Sequence, residues 1–267
     1  MSSLLTNTSA LTALQTLKST NSDLATTQDR IATGKKVNTA ADNAAYWSIS
    51  VSMTSQSKTL GAAQEALGIG KGVVDTAKTA LEESIGIAEK IQAKLATLDA
   101  SGVDAETVNA DVAELSKQIV AIAKAASFQG VNLLASDGEA AKIVTGYTQG
   151  SVSDGTGGEV TTIDVAAYDL EAGFSTPPTT ASGVEGTLNA MRKAAATLGG
   201  VSTRIESQSS FNSKLIDAID RGVGSLVDAD MNAESARLSA LQVQQQLGVQ
   251  ALSIANQSSQ SILSLFR

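Results

Sequence analysis

The sequence predicts a mainly α protein: an elongated coiled-coil helical bundle in which the N- and C-terminal helices pair, with a small β segment or loop in the middle. Three observations carry that expectation. Apolar residues recur at spacings of three and four, the helical period, along most of the 267 residues. Aromatic residues make up 3% of the chain, and its two prolines stand together at Pro177 and Pro178. Small side chains and few prolines suit long helices that pack closely side by side. Finally, residues 238–266 run for 29 positions without a charge, and 14 of them are Ser, Gln or Asn.

The first helix is expected over 3–33. Its apolar positions are Leu4, Leu11, Leu14, Leu17, Leu24 and Ile31, with Asn7, Asn21 and Gln28 at intervening stripe positions. Gly34 is suited to a helix C-terminus, and an extended turn follows to Asp42. From 43 to about 100 the helical pattern continues through Ile49, Met53, Leu60, Leu67, Val74, Leu81, Ile85, Ile91, Leu95 and Leu98. Many of these are seven apart, the heptad spacing of helices that wrap around one another. Gly102 breaks the pattern. A third helix is expected over 105–127, with Val108, Val112, Leu115, Ile119 and Ile122 on one face.

The composition then changes. Residues 143–180 are rich in Gly, Thr and Ser with short β-prone runs, and read as a small β segment and surface loop. Within it, SVSDGTGGEVTTIDV suits a hairpin turning near 154–158. Helical pattern resumes at about Val184 and reaches a joint near 228–232, where Asp230 is placed to cap the last helix.

Composition excludes several functions. A net charge of −8 without a basic cluster argues against nucleic acid and anionic membranes as partners. The chain has no Cys and no His, which removes disulfides, thiolate nucleophiles, Ser-His-Asp triads and almost every zinc site. No enzyme activity, cofactor or small-molecule substrate is expected. No basic residue precedes Lys18, and no continuous apolar run of secretory-signal length follows. The uncharged tail is too polar to span a membrane. The chain is therefore expected to stay cytoplasmic or to leave by a route that reads no cleaved signal.

Three features invite chemical readings and lose to plainer ones. Gly68, Gly70, Lys71 and Gly72 suggest a phosphate loop, but Gly72 stands where Walker A needs Ser or Thr after its Gly-Lys pair, and Val73 stands where the dinucleotide fingerprint needs its third Gly. Small residues admitting close helix contact are the better reading, although each Gly weakens a helix by roughly 1 kcal/mol relative to Ala. The acidic pairs Glu82 with Glu83, Asp217 with Asp220 and Asp228 with Asp230 read as solvated surface or caps. The glycosylation sequons at Asn7 and Asn256 fall in packing helices and read as chance.

The terminal stripes are the strongest signal. Leu238, Leu241, Gln245, Gly248, Leu252, Ala255, Ser259, Ile262 and Phe266 alternate spacings of three and four, with Leu247, Ala251, Ile254 and Leu265 beside them. Such a helix is stabilised mainly by packing its apolar face. The N-terminal stripe is its natural partner, yet two helices bury only one side of each other. The uncharged remainder favours burial against further copies of the chain; an ordinary intramolecular pair is the alternative. The expected assembly interface is Leu11, Leu14, Leu17, Leu24, Ile31, Leu238, Leu241, Leu247, Leu252, Ile254, Ile262, Leu265 and Phe266.

The same residues carry a resemblance. NTSALTALQTLKSTNSDLATTQDRIATGKKVNTAADNAA resembles the opening of bacterial flagellins, with its spaced leucines, Arg-Ile before Thr-Gly and Ala-Asp-Asn-Ala-Ala close. SFQGVNLL (127–134) resembles the family's Phe-Asn-Gly-x-x-Leu turn, with Gln129 where Asn is usual. DADMNAESARLSALQVQQQLGVQALSIANQSSQSILSLFR resembles the family's C-terminus, above all in Gln-Gln, Ala-Asn-Gln and Leu-x-Leu-x-Arg. Together these cover about 1–135 and 184–267, and ADNAAYWSIS and QALSIANQSSQ are most similar to alphaproteobacterial flagellins.

The resemblance implies a structural subunit of the bacterial flagellar filament, used for swimming. Residues 1–42 and 228–267 would form an innermost coiled-coil domain lining a central channel. Residues 43–135 and 184–227 would form the next shell, and 136–183 a short variable surface segment. It implies a homo-oligomer of many copies, export without signal cleavage through the flagellar type III machine, and assembly at the distal tip. It also implies an export chaperone on the C-terminal region, together with cap and hook-junction proteins as partners. Gln246 and Gln250 are candidate channel-lining residues, since a fixed charge there would hold a passing chain. Two rivals are a hook–filament junction protein, expected to diverge from the ending seen here, and a non-flagellar type III-secreted coiled-coil binding protein, expected to carry an apolar membrane segment or a basic or acidic docking patch. In flagellins recognised by the Toll-like innate receptor, an Arg-rich stretch precedes the first helix turn; Ile91 and Ala93 stand where those arginines are expected, so receptor activation is expected to be weak or absent.

Overall fold

The computed structural model describes residues 7–99, 104–138, 140–148 and 158–265, and only the backbone of 99 and 258–265. In chain order the elements are α1 (Thr8–Thr33), α2 (Ala44–Ala96), a 3-10 turn (Thr97–Asp99), α3 (Ala105–Ala125), β1 (Ser127–Phe128), β2 (Val131–Asn132), β3 (Ala141–Thr148), β4 (Glu159–Val165), α4 (Leu170–Phe174), α5 (Ala181–Val227) and α6 (Met231–Leu265). The protein is mainly helical, with two small two-stranded sheets among the described residues. The chain divides into two compact units: Met1–Thr54 with Ile219–Arg267, and Ser55–Ala218.

In the second unit, the heptad read from α2 is the core. Leu60, Leu67, Val74, Leu81, Ala88 and Leu95, each seven after the last, are all buried, as are Ala77 and Ile91 between them. Opposing them on α5 are Val184, Leu188, Met191, Leu198 and Ile205, again at helical spacing. Ile119 and Ala123 of α3 join the same cluster, together with Leu133, Leu134, Ile143, Ile163, Leu170 and Phe174 from the strands, turns and α4.

The β region differs from the expectation. β3 and β4 pair antiparallel from Ala141 opposite Val165 to Thr148 opposite Glu159. The hairpin therefore begins about ten residues earlier than the sequence suggested, and the expected turn near 154–158 lies, except for Gly158, outside the described residues. Ile143 explains the earlier start: it is buried against α2 and ties AKIVTGYT to the core. The ladder is irregular between Val144 and Gly146, where the Thr145 hydroxyl donates to the Thr161 carbonyl at 3.0 Å. The short α4 was not anticipated. Asp169 caps it, accepting from the Ala172 N–H at 2.8 Å, and its two buried side chains, Leu170 and Phe174, sit one turn apart.

SFQGVNLL forms a tight hairpin, with Ser127 opposite Asn132 and Phe128 opposite Val131. The two loop residues both have positive φ, 50° at Gln129 and 84° at Gly130. That geometry matches the right-handed twist of the flanking strands. Asn132 then closes α3, its amide donating to the Ala123 carbonyl at 2.8 Å while its oxygen accepts from the Leu134 N–H.

Candidate functional site

The site is the pairing of α1 with α6 in the first unit. Each helix has a defined start. Asn7 caps α1, its Oδ1 accepting from the Ala10 N–H at 3.0 Å. Asp230 caps α6, accepting from the Asn232 and Ala233 N–H groups at 2.9 and 3.3 Å. Gly34 ends α1 with φ 71°, its N–H returning to the Arg30 carbonyl.

The helices run antiparallel. Arg30 meets Glu234 at 3.2 Å, Asn21 accepts from Gln245 at 2.8 Å, and the Asn7 amide donates to the Ala255 carbonyl at 3.0 Å. Between these rungs Gly248 faces Leu17, and a Cβ added at Gly248 would sit 3.2 Å from Leu17 Cδ1. These polar rungs fix the register, because a slip of one turn would break all three at once. Arg30 Nε and Glu234 Oε2 are buried without a hydrogen-bond partner, so the ion pair is satisfied on one side only.

The seam on α6 follows the spacing seen in the sequence. Leu241 is buried, and Leu238, Gln245, Gly248, Leu252 and Ala255 are half-buried. On α1 the covered positions are Ala10, Ala13, Leu17, Thr20, Leu24, Thr27 and Ile31, of which only the two threonines are fully buried. The sequence reading missed Thr20 and Thr27 because they are polar. The signal that could have found them is their place seven residues apart, interleaved with Leu17, Leu24 and Ile31. Thr20 satisfies its hydroxyl on the Thr16 carbonyl at 3.0 Å, so it enters the seam without an orphaned donor.

The remaining stripe residues lie elsewhere. Leu11 and Leu14 are 58% and 53% exposed, off the seam. On α6, Val243, Leu247 and Ile254 are 54%, 57% and 67% exposed. With Gln250 they recur at four, three and four, a second row that the pairing with α1 leaves uncovered. Gln246 is exposed too. Ile262 and Leu265 lie on the described backbone of α6, and Phe266 lies outside the described residues.

The connectors to the two helices hold each other. The Lys36 N–H donates to the Val227 carbonyl at 2.7 Å and the Ala229 N–H to the Gly34 carbonyl at 2.9 Å. The Lys36 ammonium adds a bond to the Ser225 carbonyl at 3.0 Å. Asp42 folds the extended turn onto itself by accepting from the Asn38 and Thr39 N–H groups and the Thr39 hydroxyl. Those bonds, led by the Thr39 N–H, hold its carboxyl below the ordinary value.

The other candidates resolve plainly. No group of three or more Asp or Glu able to hold a metal occurs among the described residues. No described helix is long and apolar enough to cross a membrane. Gly70 and Gly72 do admit a close approach, but not of a neighbouring helix as expected: a Cβ at Gly70 would overlap Ile143 of β3, and one at Gly72 would meet Phe128 of β1. Lys71 pairs with Glu206 of α5, which raises the lysine pKa and lowers that of the glutamate. Ile91 is fully buried and Ala93 exposed, so of the two positions where receptor-recognised flagellins are expected to carry arginine only Ala93 is at the surface.

The described chain is thus a mainly helical protein whose first and last helices pair antiparallel and leave a second apolar row uncovered, the architecture of a helical structural subunit. Its family follows from the matches: residues 4–138 fit the bacterial flagellin N-terminal helical region and 181–266 the bacterial flagellin C-terminal helical region. The chain belongs to the bacterial flagellin family, the structural subunits of the flagellar filament. It is 47% identical to a flagellin of Brucella melitensis biotype 1 and 41% identical to flagellin C of Rhizobium meliloti, over the whole of each chain. Flagellin A of Rhizobium meliloti is 35% identical over an alignment of 394 residues that spans both chains completely.

Proposed function

We propose that the first unit is the inner, assembly-forming part of this filament subunit, and that the chain reaches the filament by export through the flagellar type III machine without signal cleavage. The observation that carries this reading is the exposed row Val243, Leu247, Gln250 and Ile254 on a helix whose other face is already covered by α1. An uncharged apolar row of this length calls for cover by other subunits. Leu11 and Leu14, with Ile262, Leu265 and Phe266, extend the proposed surface between subunits, while Leu17, Leu24, Ile31, Leu238, Leu241 and Leu252 form the seam within one chain that presents it. Residues 1–42 and 228–267 form its inner domain, 43–135 and 184–227 the surrounding shell, and 136–183 the outer segment. An export chaperone of the family binds the C-terminal region, and the cap and hook-junction proteins bound the filament at its two ends. The chain has a structural role and no catalytic one.

The test is seeded polymerisation followed by sedimentation and negative stain. Leu247→Ala with Ile254→Ala is expected to leave monomer helicity unchanged and to raise the critical concentration at least about tenfold. A double variant that polymerises like the parent chain would remove the row from the interface. Gln250 lies inside that row and is covered with it, so of the two candidates Gln246 is proposed to line the channel, and Gln246→Lys or Gln246→Arg is expected to shorten filaments grown in cells. Filaments of normal length in those variants would count against a channel position.

A further inference from the structure

We propose that the first two turns of α2 form a second contact between copies of this chain, with Trp47 as its anchor; this rests on the filament reading above. Tyr46, Trp47, Ile49 and Val51 are 45%, 37%, 48% and 47% exposed, a concentration of large apolar side chains within six residues. Trp47 and Val51 are four apart and share one row; Tyr46 and Ile49 are three apart and share another. The segment is well formed rather than frayed. Asn43 caps it through the Ala45 and Tyr46 N–H groups, both at 3.1 Å, and the buried Ser50 donates to the Trp47 carbonyl at 2.8 Å. Rigid, exposed aromatic residues of this kind make interface anchors.

Charge identifies the occupant. Each copy carries a net charge of −8, so identical chains repel except where they meet through uncharged surface. The three longest uncharged runs of the sequence are 238–266, 1–17 and 43–57. The first two supply the paired terminal helices, and the third contains this patch. Within 43–57 itself a docking copy meets no charged side chain to desolvate. Because a filament grows by head-to-tail contacts, the surface that receives Trp47 differs from the surface that presents it.

Trp47 is the only tryptophan of the chain, so its fluorescence reports this one position without a label. Full-length protein is compared as monomer and as seeded filament at equal concentration. The expected result is a blue-shifted emission and weaker acrylamide quenching in the filament. Trp47→Ala is expected to raise the critical concentration about tenfold while monomer circular dichroism stays unchanged, with Trp47→Phe recovering most of the loss. Filaments whose tryptophan emission and quenching match the monomer's would overturn the contact and leave the filament reading standing. So would a Trp47 already shielded in the monomer, which would mean that the chain covers it itself, or a Trp47→Ala protein that polymerises normally. Failure of the parent chain to form any filament from seeds would instead defeat the filament reading, and this contact with it.

Discussion

Gln129 occupies a left-handed backbone conformation that non-glycine residues adopt at a cost and that Asn adopts most cheaply. Gln129→Asn is therefore expected to stabilise the Ser55–Ala218 unit by about 0.5 kcal/mol, read as a rise in denaturation midpoint at constant slope. An unchanged midpoint would mean that the turn relaxes on its own. Asp42 makes a prediction about acid. Its folded pKa is depressed, so its contribution is present above the unfolded carboxylate value of about 3.9 and is lost as pH falls through the folded value. Asp42→Asn is expected to flatten the loss of melting temperature on acidification below about pH 4. Melting curves of the two proteins that stay parallel across that range would sink the assignment.

Among the elements, α2 shows how one residue type can have opposite roles within two turns. Gly68 has open space around its Cα, whereas Gly70 and Gly72 are pressed by Ile143 and Phe128. Gly68→Ala is expected to stabilise by roughly 0.5–1 kcal/mol through helix propensity. Gly70→Ala is expected to destabilise by about 1–3 kcal/mol, because overpacking outweighs the same gain. Equal effects in thermal denaturation would show that the hairpin is not seated on the helix. The contrast also marks what could be read from sequence. The heptad from Leu60 to Leu95 was legible because every member is apolar or Ala and faces one core. The α1 seam was half legible, since Thr20 and Thr27 hide in it and Leu11 and Leu14 advertise a face that α6 does not cover. The β segment was legible from Ile143, but its pairing as the first arm of the hairpin was not, because Gly146 and the irregular ladder at Thr145 break its alternation. The role of Gly70 required a strand more than seventy residues away in sequence.

For the whole molecule, the filament reading separates folding from assembly on different leucines of one helix. Leu241→Ala is expected to cost about 2–4 kcal/mol of monomer stability, because it empties a buried seam position. Leu247→Ala is expected to change monomer stability by less than about 0.5 kcal/mol, the range of ordinary surface substitutions, while still impairing polymerisation. If calorimetry finds the two equally destabilising in the monomer, α6 is covered on both faces before assembly.

The hydrogen bond from Asn7 to Ala255 spans nearly the full sequence. A ribosome that stops early, anywhere before α6, yields a polypeptide whose first helix has nothing to close against. Such a product keeps its leucine face bare and cannot complete the Met1–Thr54 and Ile219–Arg267 unit. Completeness of synthesis is thereby made a condition of closing that unit, since its last strut is the final stretch of chain to be made.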